Sequence, residues 1–381
     1  MRAAGTILTL LIFWSTLDRS LILPLVPTIA RELAAPVEVA AMAITFHALA
    51  YSGLQIVWGP LSTRWGRVRV LVLSTAIAAG ANVASAVAPD IVSFLVARTV
   101  SGGAFAATFA AVLTYFGDSL PLERRPAAMS NLAAATALGL ALGTLVSGAV
   151  ASWTSWRWIF AVFAVVTGVL AWAIARLPDP GVPGDERLSR QVGRLVRNRW
   201  ALAVCGLTAL EGFLLIGVFN LLPIALQQAG TDVFLSGLTT SAFGLAVVVL
   251  SQVMKLFVAR VPAWLFIALG GACAVLAFVV LVGQVSPVAV LVGAALMGAG
   301  WAFAHTTLQT WMTDAAARTR ALGMTLFSIS LMLGGAIGAA VGGAAAGQHA
   351  FPALFAVAIA GSVVFTIVGG LARSRYAVRG E

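Results

Sequence analysis

The chain has 381 residues, of which 61% belong to the hydrophobic set and 9% are charged, with a mean hydropathy of +1.01. Soluble domains carry about a quarter charged residues, so this chain cannot cover its own surface in water and reads as an integral membrane protein. No room remains for a large extramembrane enzyme domain, a nucleic-acid-binding fold or a disulfide scaffold, and the formal charge of +10 must be sorted by position before it says anything about partners.

Apolar runs bounded by charge, Pro or Gly mark twelve candidate helical spans, each near the ~20 residues a bilayer requires. They run from Gly5 to Ile29, Val39 to Leu61, Val70 to Val87, Ile91 to Phe116, Ala127 to Ala151 and Trp156 to Ala175 in the first half. In the second half they run from Trp200 to Leu226, Phe234 to Val258, Ala263 to Gln284, Pro287 to Thr313, Ala321 to Ala346 and Phe351 to Leu371. The first run is too long for a signal-peptide core and carries Asp18 and Arg19, so it reads as an uncleaved span. Cys205 and Cys273, far apart within apolar runs, read as buried thiols with no redox or metal framework.

With the N-terminus placed in the cytoplasm, about 19 of the 23 basic residues fall on cytoplasmic segments, so both termini are expected there. The net charge is then a topology signal, and nucleic-acid binding is not expected. The longest hydrophilic stretch, residues 177–199, separates an N-terminal bundle (1–176) from a C-terminal one (200–381). Within it Arg187, Arg190, Arg194 and Arg197 recur at helical spacing, with Leu188, Val192 and Leu195 on another face. This fits a solvated positive-inside linker as well as an amphipathic helix lying in an anionic lipid interface.

The halves match at an offset of about 195 residues: Pro27 with Pro223, Arg64 with Arg260, Asp118 with Asp314, Arg125 with Arg320, Met129 with Met324, and Gly139, Gly143 and Gly148 with Gly334, Gly338 and Gly343. Charged matches at loop edges do not arise from apolar composition alone, so a duplicated six-helix unit is the simplest account. The stripes Gly139, Gly143, Ser147 and Gly334, Gly338, Gly342 allow helix backbones to approach closely, either as static packing or as faces that slide during gating.

Between the second and third spans the sequence reads Gly59-Pro60-Leu61-Ser62-Thr63-Arg64-Trp65-Gly66-Arg67-Val68-Arg69. This resembles the cytoplasmic signature of the major facilitator superfamily. Arg98 with Gly102-Gly103 resembles its fourth-helix motif, Gly139 to Gly148 its antiporter motif, and Leu17-Asp18 before Pro24 and Pro27, with Ser155-Trp156-Arg157-Trp158-Ile159-Phe160, features of its drug efflux members. The resemblance covers the whole chain. It implies an all-α membrane protein of two pseudo-symmetric six-helix bundles, with the first, fourth, seventh and tenth helices lining a central cavity. Within the superfamily it points to the twelve-span drug:proton antiporters. Thr63 stands where the signature usually has Asp, and Thr144 and Ser147 replace a Pro and a Gly. The cytoplasmic gate, Gly59, Arg64, Gly66 and Arg67, is therefore expected to rely on Asp118 against Arg67 and on Asp314 against Arg260.

Asp18, Arg19, Arg98, Glu211, His47 and His305 are the ionisable residues inside spans. A charge at the bilayer centre costs about 2.5–3.5 kcal/mol on insertion scales, so these side chains should face protein or water. Proton coupling needs a group whose proton affinity changes with its surroundings, and burial and a nearby Arg act on a carboxylate in opposite directions. Asp18 and Glu211, with Arg98 as switching counter-ion, are the candidate proton carriers; a fixed tie of Asp18 to Arg19 or Arg98 is the structural alternative. Arg19, the stripes His47, Tyr51, Gln55 and Trp301, His305, Gln309, and the apolar Phe105 and Phe213 are candidates for a substrate wall, interhelical hydrogen bonding being the alternative for both histidines. The sequence has no His-Glu-x-x-His, Gly-x-Ser-x-Gly or Walker pattern, and no cofactor or metal site is expected.

The reading that follows is a monomeric secondary transporter of the bacterial cytoplasmic membrane exchanging protons for amphipathic small molecules. The alternative is a carrier for one defined metabolite, possibly anionic, that Arg19 and Arg98 would bind.

Overall fold

The computed structural model describes residues 2–119, 125–179, 195, 197–258 and 260–376, and all regular structure among them is helical. Twelve helices are long and apolar enough to cross a membrane. Hydrocarbon offers no hydrogen bonds to the backbone, so each span must satisfy its own peptide groups, which the helix does.

In the first half, α1 is Arg2–Leu21, α2 Val37–Trp65, α3 Arg67–Ala86, α4 Ile91–Ser119, α5 Arg125–Trp153 and α6 Trp156–Ile174. In the second, α7 is Arg199–Gly212, α8 Val233–Phe257, α9 Ala263–Gly283, α10 Pro287–Gly300, α11 Arg320–Gly347 and α12 Phe351–Ser374. Three of the runs expected to be continuous helices are interrupted. The first span passes from α1 through a 3-10 turn, Leu23–Leu25, into a short helix, Val26–Glu32. Pro24 and Pro27, which lack an N–H, account for that break. The seventh span goes from α7 into a π turn, Phe213–Val218, then a 3-10 turn, Phe219–Leu221, and a last helix, Leu222–Gln228, that contains Pro223. The tenth carries a π turn at Trp301–His305 before Thr306–Ala315.

The chain divides into two compact units, Met1–Gly184 with Asp232–Ser241 and Asp185–Thr231 with Ala242–Glu381. In the first, α1 packs on α5, α4 on α2 and α3, and α3 on α6. In the second, α7 packs on α11, α9 on α10 and α12. The pairs 1·5, 3·4 and 3·6 thus return as 7·11, 9·10 and 9·12, as a duplicated sequence requires.

The Ser155-Trp156-Arg157 motif ties helix ends together. Ser155 caps α6, its Oγ accepting from the Arg157 N–H at 3.3 Å, and Trp156 Nε1 donates to Glu32 Oε2 at 2.7 Å. Arg157 Nη1 donates to the carbonyls of Ala86 at 3.0 Å and Ala88 at 2.8 Å, the C-terminal end of α3. Cys205 and Cys273 are free but only half-buried, not buried as expected. Apolar side chains such as Val165, Trp172, Val249, Leu256 and Val288 stay exposed, as they must on a face meeting lipid.

Candidate functional site

Among the described residues each unit encloses a buried carboxylate against a base, and the two pairs are built differently. In the first unit Asp18 of α1 meets Arg98 of α4, with Nη2 2.7 Å from Oδ2 and side chains 1% and 0% exposed. Arg98 Nη1 also donates to Asp18 Oδ1 at 3.5 Å and to Asn82 Oδ1 of α3 at 3.2 Å. Ser101 Oγ donates to Asp18 Oδ2 at 3.2 Å. His47 Nδ1 of α2 is 3.4 Å from Arg98 Nη2, and the guanidinium lies 5.1 Å from the Phe160 ring of α6. Close crossing of α2 and α4 makes this possible, since a Cβ at Gly102 would overlap the His47 backbone.

His47 therefore belongs to the Asp18–Arg98 network, whereas Tyr51, on the same sequence stripe, bonds to Gln55 and lies within electrostatic reach of Arg19. Arg19 does not take Asp18. Phe105 is fully buried with Ala78 and Ala104, against Tyr51. Asn82 and Ser101 take part without having been singled out in the sequence. A buried amide in an otherwise apolar span was the available signal for Asn82.

In the second unit Glu211, near the end of α7, meets His305, the last residue of the α10 π turn, with Nδ1 3.0 Å from Oε2. The Glu211 side chain is 0% exposed and that of His305 14%. The imidazole stacks on Trp301, ring centroids 3.9 Å apart and planes 16° apart, and lies 5.2 Å from Phe327 of α11. The stripe Trp301, His305, Gln309 thus supplies a proton-bearing partner for Glu211 as well as an aromatic face, with Gln309 half-buried beyond it. Phe213, half-buried, opens the neighbouring π turn.

The glycine stripes are close-packed. A Cβ at Gly139 would lie 2.8 Å from the Phe13 carbonyl and one at Gly143 3.1 Å from that of Leu17, both on α1. Gly334 and Gly338 meet the backbone of α7 and its π turn at Ala209 and Phe213 in the equivalent way. Gly148 faces Gly237, both within the first unit, and Gly343 is buried.

At the expected gate, Gly66 forms the turn between α2 and α3 with φ +93°, and the Asp179 carboxylate lies directly over it. Gly59 is not part of that turn: it lies inside α2, exposed, with open space around its Cα. Arg64 is exposed, and the buried Arg67 donates to Ser62 Oγ at 3.5 Å. The Asp118 side chain and residues 180–194 of the linker lie outside the described residues, and so does the expected amphipathic helix. Asp314 does not pair with Arg260 among the described residues: Arg260 is exposed just past the end of α8, and the electrostatic neighbour of Asp314 is Arg373 at the end of α12.

Comparison with known proteins agrees with this architecture. The family model described as Major Facilitator Superfamily matches residues 8–339. The chain is 30% identical over 141 residues to the efflux pump FUB11 of Gibberella moniliformis, covering 37% of this chain and 24% of that one. It is 25% identical over 225 residues to the efflux pump apf11 of Gibberella fujikuroi, covering 59% and 39%. It is 31% identical over 149 residues to EfpA, an uncharacterized MFS-type transporter of Mycobacterium tuberculosis, covering 39% and 28%. The chain thus spans well under half the length of these curated relatives. Among solved structures, a bacterial homologue of the human lysosomal transporter Spinster superposes with a TM-score of 0.77 at 14% identity, covering 97% of this chain and 96% of that one. The nucleoside transporter NupG gives 0.75 at 13%, covering 97% and 99%. The twelve-helix fold is the one these membrane transporter structures share. The chain belongs to the Major Facilitator Superfamily.

Proposed function

We propose that this chain exports amphipathic small molecules from the bacterial cytoplasm in exchange for protons. Residues 1–176 and 200–381 act as the two bundles of an alternating-access cycle, joined by residues 177–199, with both termini cytoplasmic. The chain works as a monomer, with anionic lipid available to the basic linker. The observation that carries this reading is the Glu211–His305 contact, a sealed carboxylate against an imidazole at membrane depth, in helices otherwise almost free of charge. Charges are placed at membrane depth at a cost, and in transporters they mark substrate and proton paths. Relatives named as efflux pumps favour export over import.

The glycine contacts of α5 on α1 and of α11 on α7 support the same cycle, because helices packed through small residues can shift against each other without losing contact. Proteoliposomes with an imposed pH gradient test the proposal: wild type accumulates a fluorescent lipophilic probe against its gradient, and Glu211→Gln does not. Accumulation that is independent of the pH gradient in the wild type would overturn it.

A second reading, transport of one anionic metabolite, is favoured by Arg19. Its charge lies beside Tyr51, inside the first span. Wild-type resistance across a drug panel in a sensitive host, compared with the vector alone, separates the two.

A further inference from the structure

The two buried pairs differ in what they can do with a proton. We infer that the exchangeable proton is held by the Glu211–His305 pair alone, that His305 is the relay through which it enters and leaves, and that Asp18–Arg98 is a permanent fixture. The inference rests on the proton-coupled reading above and assigns its proton to one site.

A guanidinium has no lone pair to accept a proton and does not release one in proteins. Any proton at the Asp18–Arg98 pair would therefore have to sit on Asp18 itself. Both Asp18 oxygens receive donors, and Arg98 is held besides by Asn82, His47 and the Phe160 ring. Neutralising Asp18 would leave a buried guanidinium without its counter-ion, the costly way to break such a pair. α1 at Asp18 and α4 at Arg98 are regular α-helix.

Glu211 and His305 are a carboxylic acid and an imidazole, both able to bind and release a proton, and only the imidazole reaches the accessible surface. Glu211 is sealed, His305 is 14% exposed. Glu211 Oε1 is buried without a hydrogen-bond partner, so this carboxylate is held by the imidazole and not by a shell of fixed donors. The step balances without a further reactant. A proton from water binds Nε2 of neutral His305; the Nδ1–H bond breaks as an Oε2–H bond forms on Glu211; the imidazole is left neutral as the other tautomer, and the pair has gained one proton. The Trp301 stack and Phe327 hold the ring so that Nδ1 faces Glu211.

Among the described residues of this unit no other charged group contacts the pair. α11 from Leu322 to Gly347, α12 from Phe351 to Leu371 and α8 from Ala242 to Met254 contain no titratable residue. α9 contributes only Cys273, α7 adds Cys205 and, twelve residues before Glu211, Arg199, and the tenth span has Asp314 nine residues beyond His305. The backbone is also set apart here. One π turn ends on His305 and another begins two residues after Glu211, a geometry that recurs at functional positions of helices.

The test uses the purified full chain in detergent and needs no cargo: proton uptake on a pH jump, read with an indicator dye, and the carbonyl stretch of a protonated carboxylic acid in infrared difference spectra. The wild type should take up about one proton per chain beyond the uptake of Glu211→Gln, with one such band. Glu211→Gln should lose both, and His305→Gln should keep the band while slowing uptake and moving its pH midpoint. The neutral pair Asp18→Asn with Arg98→Gln should keep both, and a thermal melt shows that each variant is folded. A band that survives Glu211→Gln, or one lost in the folded neutral-pair variant, would overturn the assignment. Uptake at this pair without gradient-driven transport in liposomes would instead remove the antiport reading and leave the site standing.

Discussion

Arg98 of α4 lies between Asp18 of α1 and His47 of α2, its Nη2 2.7 Å from the carboxylate and 3.4 Å from the imidazole. Three helices thus converge on one guanidinium, and Asn82 brings in a fourth through Nη1.

This convergence predicts a strong asymmetry between single and paired substitutions. Asp18→Asn leaves a buried cation without its partner and should cost about 3–5 kcal/mol, whereas Asp18→Asn with Arg98→Gln should recover most of that loss. Thermal unfolding in detergent, followed as a double-mutant cycle, measures it; additive losses would contradict the pairing.

The glycine stripes should be intolerant on their packed faces only. Gly334→Val and Gly143→Val place carbons on Ala209 and on Ser20 respectively, and should lower stability by about 1–3 kcal/mol and reduce transport. Gly168→Ala in α6, where a Cβ meets nothing within 4 Å, should be neutral in both assays.

Within the signature turn, Gly66 and Gly59 should behave oppositely. Gly66→Ala meets a left-handed backbone at φ +93° and the Asp179 carboxylate, so about 1–2 kcal/mol should be lost. Gly59→Ala sits in a helix with open space and should be neutral or slightly stabilising. Urea midpoints of the two variants decide the matter.

The Trp156–Glu32 bond ties the end of the first span to α6. Glu32→Ala should lower the melting temperature by removing the acceptor for a buried indole N–H, and Glu32→Gln, which keeps an acceptor oxygen, should restore it.

The spans and the repeat were legible in the sequence because hydropathy and glycine spacing are local signals. Asp18 and Arg98 could be matched by scarcity, since few charges occur within spans. Glu211 and His305 could be nominated singly but not joined: they are 94 residues apart, and their meeting depends on the rotation of two helices. His47 and Tyr51 share a face by spacing, yet they answer to different neighbours, His47 to Arg98 of α4 and Tyr51 to Gln55 of its own helix and Arg19 of α1. Thr63 in place of an acid could be read as a departure, but not the arrival of Asp179 at the same turn. No residue pattern announces a π turn, so the interruptions at Phe213 and Trp301 were invisible.

A π turn carries one residue more than the α turn it replaces. Deleting one residue between Trp301 and His305, or between Phe213 and Val218, can therefore be absorbed as a return to α geometry, with the helix on either side keeping its facing. The same deletion in the regular α6 would turn everything beyond it by about 100°. The helices that hold the Glu211–His305 pair are in this sense the ones most open to a change of chain length.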